Sequence, residues 1–306
     1  MRLTVVLFGL LCASALVINA LPVPQDQEDV RGAFLTSRPK EKPSSSSTTR
    51  PTRRRPKAVV AQNDSKKNSP GPSTTDNKNN KPDTTTTSGN SGSKPVNLER
   101  LGLGLTLFMR DANGLAVRTD PNRVFQKGDR VRVLLETNAD GYLYIFNTTN
   151  DGPPVMIYPD VDLDEAGNYL QSHVPFEIPS SLATEERLRW FAFDETAGNE
   201  RLFFVFTKEP LTGLPIEDDL VALCRDSKAS CPVKPSADVW GQVEAQLKQP
   251  LQTNTSAQSG QTQTTAEQRA TTRGLGLAKD DPQPSMIMMA SSKTSKLVTT
   301  LDLIHK

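Results

Sequence analysis

The chain has 306 residues, a formal net charge of +1 from 36 Lys and Arg against 35 Asp and Glu, and 35% hydrophobic residues. That apolar content is low for a chain of this length and is concentrated in a few segments, which excludes a core running through the whole molecule and leaves room for one modest domain. With only two histidines, chemistry that needs an imidazole base has few places to reside.

Residues 1–20 read as an export signal: Arg2 supplies a positive start, residues 3–18 are almost wholly apolar, and Ala20 offers a small residue for cleavage. Cleavage near Ala13 and Ala15, or an uncleaved anchor, are the competing readings, although a span needs about 20 apolar residues. The expected address is extracytoplasmic, periplasmic or secreted, with no stable membrane span after cleavage. Residues 21–39 form a short segment with a little apolar content around Val30, Phe34 and Leu35. It either docks on the domain or a partner, or is an ordinary disordered terminus.

Residues 40–97 are Ser, Thr, Pro, Asn and Lys with essentially no aromatic side chain. Such a stretch cannot bury enough apolar area to offset the entropy of ordering it, so a disordered basic linker is expected. Counted from Arg31 to Lys94 the charge is roughly +10, ahead of a body at roughly −7. The run Arg53-Arg54-Arg55-Pro56-Lys57 would suggest nucleic acid in a cytoplasmic protein; export turns the expectation toward anionic surfaces or a solvated linker, with no nucleic acid.

Patterned sequence starts at Leu98. Leu103, Leu105, Leu107 and Met109 alternate with Gly104, Thr106 and Phe108, the period of a strand with one buried face. Val131, Val133 and Leu135 follow, then the turn Asn138-Ala139-Asp140-Gly141 and the run Tyr142-Leu143-Tyr144-Ile145-Phe146, a pairing that suggests a hairpin. Further strands are expected over 155–158, 174–178, 188–193 and 202–207. Strands of this length and spacing, separated by Gly, Pro, Asn and Asp, predict a mainly β fold over 98–215, an antiparallel β-sandwich with a barrel-like alternative. Aromatic side chains cluster in these strands, and core is their expected fate.

One or two short peripheral helices are expected over 216–250, the second with Val239, Val243 and Leu247 on one face and Ser236 as its cap. Residues 251–272 read as low-complexity loop. Within 273–306, Met286-Ile287-Met288-Met289 and residues 296–304 read as strands that return to the sheet and cover an edge.

The segments Gly102-Leu103-Gly104, Lys127-Gly128-Asp129-Arg130-Val131, Asn138-Ala139-Asp140-Gly141-Tyr142-Leu143-Tyr144, Ile157-Tyr158-Pro159 and Ile178-Pro179 resemble the bacterial domain-of-unknown-function family 4384, over roughly residues 98–211. The domain often accompanies kinases, caspase-like peptidases or envelope proteins. The resemblance therefore implies an accessory or sensing role toward an unknown protein or envelope component, and brings no catalytic residues.

Few residues suggest chemistry. Cys224 and Cys231, seven positions apart in a chain bound for an oxidising compartment, are candidates for a disulfide, with two reduced thiols as the alternative and zinc disfavoured by the lack of ligands. His173 and His305 sit in no catalytic motif and read as surface or satisfied side chains. Gly102-Leu103-Gly104 and Gly274-Leu275-Gly276 lack the third glycine and the βαβ setting of a dinucleotide loop, and no Walker sequence is present.

The run from Asp160 to Asn168 places Asp160, Asp162 and Asp164 at alternate positions, as calcium loops do, but Glu165 stands where an EF-hand needs glycine and Gln171 where it needs glutamate. Calcium is thus a candidate only, against a solvated acidic loop, and no other cofactor is implied. Asn147 and Asn254 open glycosylation sequons, relevant only in a eukaryotic route. The leading expectation is an exported, non-catalytic binding module of unknown ligand on a flexible basic tether. The alternative is an extracytoplasmic hydrolase using carboxylates such as Asp160, Asp162 or Glu165.

Overall fold

The computed structural model describes residues 25–40, 100–161, 167–227, 231–256, 258–290 and 294–306. The expected export signal and nearly all of the expected linker lie outside the described residues.

The protein is mainly β, built as two open sheets packed face to face. The first runs in the order β11 (Leu251–Thr255), β12 (Met286–Ala290), β1 (Gly102–Arg110), β4 (Arg130–Thr137), β8 (Phe176–Ile178), with β2 (Ala116–Arg118) on β1 and β9 (Phe191–Ala192) on β4. The second runs β3 (Val124–Phe125), β13 (Lys296–His305), β10 (Gly198–Thr207), β5 (Gly141–Thr149), β6 (Val155–Tyr158), with β7 (Tyr169–Leu170) on β5. These pairings are antiparallel except β13 with β3.

Period-two alternation selects the buried faces. Leu103, Leu105, Leu107, Val131, Val133 and Leu135 of the first sheet meet Leu143, Ile145, Leu202, Phe204, Phe206 and Leu301 of the second. The run Leu202 to Phe206 is apolar on both sides because both sides are covered. Phe203 and Val205, with Tyr144 and Phe146, face outward under α2 (Glu217–Asp226) and α3 (Ala237–Leu247) through Leu220, Val239 and Val243. Ser236 caps α3 by accepting from Val239 N at 3.3 Å.

Four expectations are corrected. β4 and β5 do not form a hairpin, since β4 pairs with β1 and β8 while β5 pairs with β10 and β6. Asn138 is committed to the first sheet, accepting from Gly102 N at 2.6 Å and donating to Arg100 O at 2.7 Å, and Gly141 packs so closely on the second that a Cβ would lie 2.5 Å from Thr207 O. The turn chemistry therefore bridges two sheets.

Residues 188–193 are not one strand but the end of a 3-10 turn, Glu186–Arg189, followed by the two-residue β9. Arg189 Nε donates to Ala183 O at 2.8 Å, which folds the segment back on itself.

Residues 251–272 are not loop: they contain β11 and most of α4 (Thr265–Arg273). Composition hides α4 because polar anchoring holds it. Thr264 and Glu267 form a capping box, and the buried Glu267 carboxylate also receives Arg118 at 2.5 Å.

The carboxyl-terminal strands enter the sheets rather than ending them: β12 lies between β11 and β1, and β13 between β3 and β10. Among the described residues no helix is long and apolar enough to cross a membrane.

Candidate functional site

The segment left open between docking and disorder is a helix, α1 (Gln25–Thr36), and it is docked. Val30 and Phe34, one helical turn apart on one face, are buried against Ile287 and Met289 of β12. Phe34 lies over the two glycines of β1. A Cβ on Gly102 would come within 2.8 Å of Phe34 Cδ2, and a Cβ on Gly104 would overlap Pro284. The Gly-Leu-Gly run thus serves as a flat floor for an aromatic ring rather than a phosphate loop. Arg31 donates to Asn254 Oδ1 at 2.7 Å and Gln283 Oε1 at 2.6 Å, and burial pushes its guanidinium below the ordinary arginine value.

Just past the helix, Arg38 is wholly enclosed. Its Nε and Nη2 pair with Glu136 Oε1 and Oε2 at 2.7 and 2.6 Å. The remaining hydrogens go to the carbonyls of Ala278, Asp281 and Pro282 at 3.0–3.2 Å, so each nitrogen of the guanidinium fork is engaged. Glu136 Oε1 also meets His173 Nδ1 at 2.8 Å, and His173 Nε2 meets Ser37 Oγ at 2.9 Å. His173 is held by the backbone as well: it sits at φ 58°, donates its N–H to Thr137 O and accepts from Leu277 N. Its ring stands edge-on to Phe34.

Ser37, His173 and Glu136 are thus in the order of nucleophile, base and orienting carboxylate. Their surroundings suit a latch better than a nucleophile. Ser37 Oγ lies 2.6 Å from Phe34 O, which takes its single proton, so toward His173 the hydroxyl can then act only as acceptor. The hydroxyl also follows the carboxyl end of α1, where exposed carbonyls oppose a developing oxyanion. Glu136 already neutralises Arg38, which leaves it a weaker partner for an imidazolium.

The same outer face of the first sheet holds two more buried ion pairs. Arg118 joins Glu267 of α4, and Arg132 joins Glu177 at 3.4 Å beneath Trp190, whose ring is 4.0 Å from the guanidinium carbon. Burial pushes Arg132 below its ordinary value, while the Glu177 carboxylate acts in the opposite direction.

Among the described residues, those singled out by sequence do not converge. Asp160 is half-buried beside a cleft of about 30 Å³ lined by Leu220, Cys224 and Cys231, room for water but not for a sugar ring. Asp162 and Asp164, with Glu165, lie outside the described residues. Among the described residues no group of three or more His, Cys, Asp or Glu is placed to hold a metal. Cys224 and Cys231 are joined as a disulfide with Cα atoms 5.5 Å apart, tying the end of α2 to the segment before α3. His305 is buried at the end of β13. Sequence reasoning missed Ser37, Arg38 and Glu136, and the one available signal was the Phe34 to Arg38 spacing of four.

Residues 124–210 match the family described as Domain of unknown function (DUF4384). The match runs from β3 to just past β10. It includes Glu136 and His173 but not α1, β1 or the carboxyl-terminal strands that complete the docking groove. No curated protein and no solved structure matches the chain.

Proposed function

We propose that this chain is an exported, non-catalytic binding module whose groove over β1, β11 and β12 holds a short helix and the arginine just past its end, in a Phe-x-x-x-Arg spacing, the chain's own α1 and Arg38 being the occupants described above. The observation that carries this reading is Arg38, a guanidinium with no exposure, paired to Glu136 and three backbone carbonyls. A buried charge with so complete a set of partners specifies one registered pose, since a shift of the helix by one residue would strand it. Residues 41–99 join the helix to β1, and a tether of that length gives a high local concentration while allowing release. A partner helix from an envelope protein with the same spacing would compete for the groove. The signal-like start of the chain and the Cys224–Cys231 disulfide support an oxidising compartment outside the cytoplasm.

The test introduces a protease site near residue 70 of the full chain and follows the amino-terminal fragment after cleavage. We expect it to remain bound at micromolar concentration and to be displaced by a synthetic peptide of residues 25–40, but not by that peptide carrying Arg38→Ala. Immediate separation on cleavage would sink the proposal. The order of Ser37, His173 and Glu136 favours a serine hydrolase as second reading, and covalent labelling of Ser37 by a fluorophosphonate would establish it in place of the latch.

A further inference from the structure

Three adjacent strands of the second sheet each end their inward apolar stripe on a polar residue, all at the same end of the sandwich. On β5 the inward series is Leu143, Ile145, then Asn147; on β10 it is Phe206, Phe204, Leu202, then Glu200; on β13 it is Leu301, Leu303, then His305. Placing polar groups on the inner face of a sandwich is costly unless they are paired. Here they are not fully paired. His305 is 4% exposed, and its Nδ1 and Nε2, together with Asn147 Oδ1, are buried with no hydrogen-bond partner among the described residues.

These groups line a cavity of about 200 Å³. Its wall is apolar, formed by Val131, Ile157, Phe191, Phe193, Leu202 and Leu303, and its carboxylates are Glu200 and Asp194. Glu200 Oε2 accepts from Asn147 Nδ2 at 2.7 Å and Thr149 Oγ1 at 2.8 Å. Its Oε1 faces His305 Nε2 at 3.6 Å, beyond hydrogen-bonding distance.

We infer that this cavity is a binding site for a small primary amine with an apolar body, the ammonium seated among Glu200, Asn147 Oδ1 and the His305 ring. An ammonium carries three donors and no acceptor. The site offers a carboxylate, an amide oxygen and an imidazole ring nitrogen, three groups able to accept for three donors. The aromatic rings Phe191 and Phe193 take the apolar body, and Phe193 holds His305 in place at 5.0 Å between ring centroids. The volume is below the roughly 300 Å³ of pockets that take drug-sized ligands, which restricts the guest to about one ring or a short alkyl chain. The site is on the inner face at one end of the sandwich, whereas α1 docks on the outer face of the other sheet, so the two proposals stand independently.

The probe is benzylammonium chloride, with benzyl alcohol as the neutral counterpart, titrated into the full chain by calorimetry and by the ring resonances of His305. Benzylammonium is expected to saturate the protein at least tenfold more tightly than the alcohol and to shift those resonances. Glu200→Gln is expected to abolish that preference while leaving the thermal midpoint within a few degrees. Equal affinity for amine and alcohol, no saturable binding of either, or a preference retained in a folded Glu200→Gln protein would each overturn the assignment. Should the variant fold poorly, the comparison of amine and alcohol on the unaltered protein still decides.

Discussion

The two faces of the first sheet are made by the same strands with opposite chemistry. Inward, β1 and β4 present Leu103, Leu105, Leu107, Val131, Val133 and Leu135, which meet the second sheet without a charged group among them. Outward, β4 presents Arg132 and Glu136 and β8 presents Glu177, all buried, paired with or lying against Arg38 of the amino-terminal segment, Gln263 ahead of α4 and Trp190. Apolar burial is non-directional and tolerates small shifts, whereas each ion pair demands one partner in one place. The inner face therefore supplies cohesion, and the outer face selects which segment lies over it.

That contrast is best broken first at Leu105, a side chain 1% exposed between the sheets. Leu105→Ala should cost about 2–5 kcal/mol and lower the urea midpoint equally by every probe, because the core is one cooperative unit. A change confined to α1 would contradict that assignment.

The outer face should fail locally. Arg38→Ala breaks a pair whose removal in a rigid interior costs about 3–5 kcal/mol, but here α1 can leave and let water reach Glu136, so the loss is capped by the free energy of docking. Amide exchange in α1 should rise toward that of an open segment while the exchange of β10 stays unchanged. Phe34→Ala should reach the same ceiling, and the double variant should cost no more than the worse single one. Additive losses would show that α1 is part of the core.

A smaller effect is expected at Thr264, which caps α4 and positions Glu267 for Arg118. Thr264→Ala should cost about 1 kcal/mol, seen as a lower thermal midpoint with unchanged α1 exchange. No change at all would mean that the ion pair alone holds the helix.

Much of this was legible in the residues. Alternation in β1 and β4 marked the inner face, residues 202–207 read as a strand, and Ser236 with Val239 and Val243 outlined α3. The legible parts share a short range, since a strand's period and a helix's cap involve neighbours a few positions apart. The illegible parts join distant positions. Gly102 and Gly104 fit no phosphate loop, and their role as the floor beneath Phe34 depends on a side chain that lies across the intervening residues 41–99.

Polar alternation misled in one consistent way. Arg132 and Glu136 occupy positions that a half-buried strand reserves for solvent, and nothing local distinguishes a wet charge from one awaiting a partner. The helix α4, with Ala270 and Glu267 as its buried residues, likewise has no apolar stripe to announce it.

By itself the sequence determined that apolar strands would stack in two layers with helices beside them, because side-chain period and turn chemistry are properties of neighbouring residues. Only the tertiary structure decided that β4 and β5 belong to different sheets, that Arg38 enters beside Glu136, and that Asn147, Glu200 and His305 share one cavity. Hydrogen bonds and ion pairs choose among many chemically equivalent partners, and that choice exists only once the chain has brought remote residues within about 3 Å of each other.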